Sequence, residues 1–145
     1  MFEICSHSRP RAFLALAVAA GAFFLLAALL FARLPGGKRL TRTEGRCAYL
    51  ASLGLQADAE SEELREIVLP KEFDAVLNEY NALQLAQGFD LRAAAGKSCL
   101  CCSYDLVGYP GWEGRVIATI YIFRGRVIGG DIHTAAADGF LRSLR

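Results

Sequence analysis

From Ala12 to Ala32 the chain carries no charged side chain; the run lies between Arg11 and Arg33 and consists of Ala, Leu and Phe with one Val and one Gly. As a helix rising about 1.5 Å per residue, its roughly 21 residues reach about 31 Å, the thickness of a bilayer's hydrocarbon layer. A helix also satisfies its own backbone groups, which lipid requires. A cleaved secretory signal has a shorter apolar core, about 7 to 15 residues, and a small-x-small cleavage site that Leu30-Phe31-Ala32-Arg33 does not supply. A buried core helix, apolar on every face, needs more protein around it than 145 residues provide. The sequence therefore predicts a short tail (1–11), a single transmembrane helix (12–32), a basic linker (33–42) and a small domain (43–145).

Two rules disagree on orientation. Arg9 and Arg11 precede the apolar run, whereas Arg33, Lys38, Arg39 and Arg42 follow it, so a count of basic residues places the C-terminal domain in the cytoplasm. A short basic tail before a lone apolar stretch is instead the pattern of an uncleaved export signal. The expectation is a single-pass cell-membrane protein with the domain outside the cytoplasm. The near-neutral total charge hides an asymmetry: residues 1–42 carry six basic side chains and one acidic, residues 43–145 ten and fourteen. The basic stretch suits anionic headgroups. The domain lacks a basic stripe interleaved with aromatics, which argues against a nucleic-acid partner.

Pro35-Gly36-Gly37 ends the membrane helix. Thr41-Arg42-Thr43-Glu44 has the form of a capping box, and Cys47, Leu50 and Ala51 follow at helical spacing as far as Gly54. An acidic connector (Asp58 to Glu63) leads to a strand over Leu64 to Leu69. Pro70 fits a first helical position, and Phe73, Val76, Leu77, Tyr80 and Leu83 form an apolar stripe that ends before Gly88. On that reading Glu72, Asn78, Glu79, Asn81 and Gln84 form a solvated face. Strands follow over Ser98 to Val107, Val116 to Phe123 and Arg126 to Ile132, with Arg124-Gly125 as a hairpin turn and Gly129-Gly130 marking a bulge or a close backbone approach. The predicted fold class is α+β: two helices on one face of a three- to four-stranded, mainly antiparallel sheet.

The series Leu69-Pro70-x-x-Phe73-Asp74, Tyr80-Asn81-x-Leu83-Gln84-x-x-Gln87-Gly88-Phe89-Asp90-Leu91, Gly96-Lys97, Tyr104, Tyr109-Pro110-Gly111, Val127-Ile128-Gly129-Gly130-Asp131 and Asp138-Gly139-Phe140 resembles the DUF4830 family. These are small bacterial proteins, mostly from clostridia and their relatives, with an N-terminal membrane segment and a C-terminal domain of unknown function. The resemblance covers residues 46 to 142. It implies a Gram-positive membrane protein, supports export, and supplies no catalytic residue. The chain departs from the family pattern at Cys99 to Cys102 and at Ala135 to Ala137.

Of the five cysteines, Cys99 and Cys101 share one face of a strand and Cys102 points to the other. Three readings are open: small apolar thiols in a β core, a disulfide from Cys47 to one of the strand cysteines, or a metal or nucleophilic site with His133, the domain's single histidine. The first is favoured, because zinc wants three or four convergent ligands. A thiol hydrolase would use Cys101 as nucleophile, His133 as base and Asp131 as orienter. Asp131 has the simpler alternative of an acceptor that closes the hairpin end. No Walker loop, dinucleotide fingerprint, His-Glu-x-x-His or Gly-x-Ser-x-Gly occurs, and no cofactor or metal is implied. The candidate surface or motif positions are Tyr80, Asn81, Gln84, Tyr109, Asp131, His133 and Asp138. The expected function is a non-enzymatic, membrane-tethered interaction or regulatory module, held to the bilayer by residues 12–32, with an envelope protein or cell-wall component as partner. The alternatives are thiol or metal chemistry at Cys99, Cys101 and His133, and an adaptor facing the cytoplasm.

Overall fold

The computed structural model describes residues 40–136 and 138–145. The expected membrane helix and most of the basic linker lie outside these residues, and among the described residues no helix is long and apolar enough to cross a membrane. The elements are α1 (Thr43–Ser52), β1 (Glu63–Val68), α2 (Ala75–Ala86), β2 (Ser98–Asp105), β3 (Val116–Phe123), β4 (Arg126–Thr134) and β5 (Leu141–Ser143), with single 3-10 turns at Ala59–Ser61 and Leu91–Ala94. The strands form one antiparallel sheet in chain order, β1-β2-β3-β4-β5. The α+β class and the three central strands agree with the sequence pattern. β5, three residues long, is too short to carry a periodic signal and raises the count to five.

Strand alternation gives the sheet two different faces. One carries Cys102 and Tyr104 of β2, Ala118 and Ile120 of β3, and Ile132 of β4, and packs with Tyr49 and Leu50 of α1. The other carries Cys99 and Tyr121 and packs with Leu77 and Tyr80 of α2. The helices thus occupy opposite faces, not one face as the sequence reading expects; both faces of β2 and β3 hold apolar or small residues, so alternation alone could not choose between them. Phe89, just past α2, returns to the first cluster.

Helix boundaries also differ. The cap of α1 is Arg42, which makes no side-chain capping bond; the Thr43 hydroxyl instead donates to Glu62 Oε2 at 2.8 Å. α2 begins at Ala75 with Asp74 as its cap, Asp74 Oδ1 accepting the Leu77 N–H at 2.8 Å. Pro70 therefore precedes the helix, in a segment where the Leu69 backbone pairs with Gly96 and Lys97. The hairpin turn at Arg124-Gly125 is as expected: both residues have positive φ, 50° and 75°, as a two-residue turn between right-twisted strands requires.

The largest correction concerns α2. Val76, assigned to the apolar stripe, is 75% exposed, whereas Asn81 and Gln84, assigned to the solvated face, are 1% and 0% exposed. Their amides are buried because each meets backbone. Asn81 Oδ1 accepts the Leu91 N–H at 2.8 Å and its Nδ2 donates to Asp90. Gln84 Oε1 accepts the Gly130 N–H at 2.8 Å, and Gln87 Nε2 donates to the Gly130 carbonyl at 3.2 Å. Gln87 Oε1 in turn accepts the Leu144 and Arg145 N–H groups at 2.7 and 3.2 Å. The pairing of β4 with β5 stops at Asp131 with Ser143, so these amides continue the ladder where the short strand ends. Such a fit needs bare backbone. A Cβ on Gly129 would lie 2.6 Å from Leu91 Cδ2, and one on Gly130 would lie 2.7 Å from the Thr119 carbonyl oxygen. The β3–β4 register also slips here, with Ile128 as the extra residue. Bulge and close approach, posed as alternatives by the sequence, occur together.

On the α1 side, Arg46 is 2% exposed and donates to Glu62, to the Tyr104 hydroxyl at 2.7 Å and to the Leu40 carbonyl at 3.0 Å. Burial raises the Glu62 carboxyl, but hydrogen bonds from Tyr104, Arg46 and Thr43 and the charge of Arg46 outweigh it and hold Glu62 below its ordinary value of 4.5. A depressed folded-state value contributes stability above the unfolded pKa and loses it as pH falls through the folded one. Glu62→Gln is therefore expected to lower stability by about 1 to 3 kcal/mol at pH 7 and to flatten the pH dependence below about pH 5, measured by urea unfolding from pH 3 to 7. Unchanged curves would show that this pair does not link α1 to the sheet.

Candidate functional site

The α2 side of the sheet is arranged in rows by the strand register. One row runs Arg65, Cys101, Tyr121, Gly129; the next Glu63, Ser103, Thr119, Asp131, Ser143; the last Asp105, Ile117, His133, Leu141. Tyr80 of α2 reaches the middle row, its hydroxyl donating to Asp131 Oδ2 and its ring standing edge-on to Tyr121 at 6.2 Å. Beyond Tyr80 lies a groove of about 310 Å³ lined by Arg65, Cys101, Ser103, Arg115, Ile117 and His133, among others.

Asp131 is 3% exposed. It accepts from Tyr80 through one oxygen and bonds His133 Nδ1 at 2.6 Å through the other. The acceptor role expected from the sequence is present, but it joins helix to strand and orients a histidine instead of closing the hairpin end. With Nδ1 engaged, the Nε2 atom of His133, whose side chain is one-third exposed, is the nitrogen left for the groove. Burial raises the Tyr80 hydroxyl pKa, and the Asp131 charge raises it further, so the phenol stays protonated and acts as a donor. Across the groove Arg115 Nε bridges both Asp105 oxygens at 2.9 and 3.0 Å, and Arg65 pairs with Glu63 at 2.9 Å. Ser103 and Thr119 share a hydroxyl bond of 3.1 Å between them.

The thiol triad sketched from the sequence does not assemble. Asp131 and His133 are in contact, but Cys101 lies two strands and two rows from His133, roughly 16 Å between Cα atoms at ordinary strand spacings of ~4.8 Å across and ~3.3 Å along. The Cys101 thiol is also raised, first by burial and then by Cys99 and Asp131, which disfavours the thiolate that nucleophilic chemistry requires. Burial raises Cys99 and takes Cys102 up to about 12. Cys47, Cys99, Cys101 and Cys102 are all free, and among the described residues no group of three or more His, Cys, Asp and Glu side chains converges as a metal site.

The other candidate positions fall elsewhere. Tyr109 stacks on Phe140 at 5.7 Å, and Trp112 stands edge-on to the same ring at 5.4 Å, in the loops at one end of the sheet. Asp138 is exposed in the turn before Phe140. Asn81 and Gln84 belong to the buried seat of α2. Arg65, Ser103, Asp105 and Arg115, which the sequence reading passed over, line the groove; period-2 spacing of Ser103 and Asp105 with Cys101 was the available signal. The arrangement gathers Arg, His and hydroxyl donors and carboxylate acceptors around a polar groove. No family model matches the chain, and neither a curated protein nor a solved structure matches it.

In the folded full-length chain, Cys101 is expected to alkylate with iodoacetamide at pH 7.5 at least about tenfold more slowly than in urea-unfolded protein. Peptide mapping by mass spectrometry measures this, and equal rates would contradict the shielded, protonated thiol.

Proposed function

We propose that this protein is a non-enzymatic, membrane-tethered module whose domain stands on the outer side of the cell membrane and binds an envelope protein or cell-wall component through the groove beside α2. The supporting observation is that α2 covers only part of its sheet face and leaves exposed a polar floor and charged rim. Paired donors and acceptors around a shallow groove suit recognition of a polar, amphoteric surface. The uncharged run 12–32 supplies the tether, and the resemblance to the DUF4830 family agrees with a membrane protein that has an exported domain.

A second reading, the same module facing the cytoplasm, draws on one structural observation. Four described cysteines are free thiols, as a reducing compartment favours, and the count of Arg and Lys around residues 12–32 agrees. A reporter fused after Arg145 distinguishes the two sides.

The test of the binding reading is crosslinking in intact membranes with the full-length chain and a Ser103→Trp variant that fills the groove. The unaltered chain is expected to yield a discrete crosslinked partner, and Ser103→Trp to reduce its recovery at least about fivefold. Recovery of no partner, or equal recovery with a filled groove, would contradict it.

A further inference from the structure

The two edges of the sheet are treated differently. At the β4–β5 edge, Gln84 and Gln87 occupy the backbone groups that the short strand leaves open. At the other edge β1 runs six residues in unbroken register with β2. The pairing of Leu69 with Lys97 and Gly96, and the turning of Asp105 N–H and C=O toward Ser61 and Asp58, fix which β1 groups face inward. Glu63, Arg65 and Ile67 face β2, and Leu64, Glu66 and Val68 direct their N–H and C=O outward. Among the described residues none bonds to those outward groups. Leu64 and Val68 are also 50% and 72% exposed, and the strand contains no Pro or bulge to blunt the edge, leaving its charges at Glu63, Arg65 and Glu66 to select what pairs there.

Such an edge invites another strand, and its charges say which. Two copies pairing antiparallel about a two-fold axis must match outward groups with outward groups, so a register that uses the whole strand centres on Arg65 or on Glu66. Either choice sets like charges directly opposite each other. A foreign strand escapes this conflict. Laid antiparallel on β1, it matches the edge when it places apolar residues opposite Leu64 and Val68 and a basic residue opposite Glu66. Glu63 and Arg65 belong both to β1 and to the groove, so alternate side chains of the added strand reach the groove's rim.

We propose that β1 takes up an extended segment of a partner protein as a sixth strand, with an apolar-x-basic-x-apolar pattern, by main-chain hydrogen bonding to Leu64, Glu66 and Val68. This rests on the reading of the domain as a binding module and names the partner's chemistry. The probe is a fluorescein-labelled acetyl-Thr-Val-Thr-Lys-Thr-Val-Thr-amide peptide, titrated by anisotropy against the full-length chain in nanodiscs. Saturable binding is expected. Glu66→Pro removes one outward N–H at an edge position where Pro is tolerated, and is expected to weaken binding at least about tenfold with an unchanged circular dichroism spectrum. Leu64→Lys, which leaves the backbone intact, is expected to weaken binding as well, and Glu66→Lys to shift preference to the peptide with Glu in place of its Lys. No saturable binding by the unaltered chain, or binding that survives both Glu66→Pro and Leu64→Lys, overturns strand addition. If the peptide fails while Ser103→Trp still abolishes a crosslinked partner, strand addition falls and the groove reading stands.

Discussion

The seating of α2 on β4 depends on two buried amides. Gln84 and Gln87 hold the N–H and C=O of Gly130, and Gln87 also holds the last backbone amides of the chain. These bonds, made by Gln84 Oε1 and by both ends of the Gln87 amide, set the helix above a bare Gly129-Gly130 backbone, although the buried Gln84 Nε2 has no partner among the described residues. That position brings Tyr80 over Asp131, and Asp131 orients His133. The same placement leaves one end of that face uncovered, at Glu63 and Arg65 of β1 and Ser103 and Asp105 of β2. The groove is thus a consequence of where the helix is pinned.

The opposite face is built differently. Apolar side chains of α1 and the even-numbered positions of β2 and β3 pack closely there, and one buried guanidinium, Arg46, ties α1 to Glu62, to the Tyr104 hydroxyl of β2 and to the Leu40 carbonyl. A buried charge of this kind specifies geometry more surely than it adds stability. One face therefore resembles an ordinary hydrophobic core, while the other combines a smaller apolar cluster with buried amides and an open, polar remainder.

The sequence made the strands legible because period-2 spacing and turn chemistry are local: Arg124-Gly125 and the runs of β3 and β4 need no tertiary information. The burial of Asn81 and Gln84 was not legible, since amides are mostly exposed and only a partner distant in sequence justifies burying them. A clue was present in Asn81, Gln84 and Gln87, uncharged amides at i, i+3 and i+6, which mark a face that meets backbone. Val76 shows the reverse error, an apolar residue at helical spacing with nothing to cover it. Of the groove, Asp131 and His133 were singled out from sequence, but their mutual contact and their separation from Cys101 depend on strand order and register.

The central claim is an asymmetry: one edge strand is three residues long, with side-chain amides completing the ladder beyond it, and the other offers six residues in unbroken register. Amide hydrogen exchange resolved by residue, on the full-length chain in nanodiscs, tests it most directly. The account predicts that Gly130 and Leu144 exchange as slowly as the core strands while Leu64, Glu66 and Val68 exchange quickly. Gly130 exchanging as fast as those edge amides would contradict it.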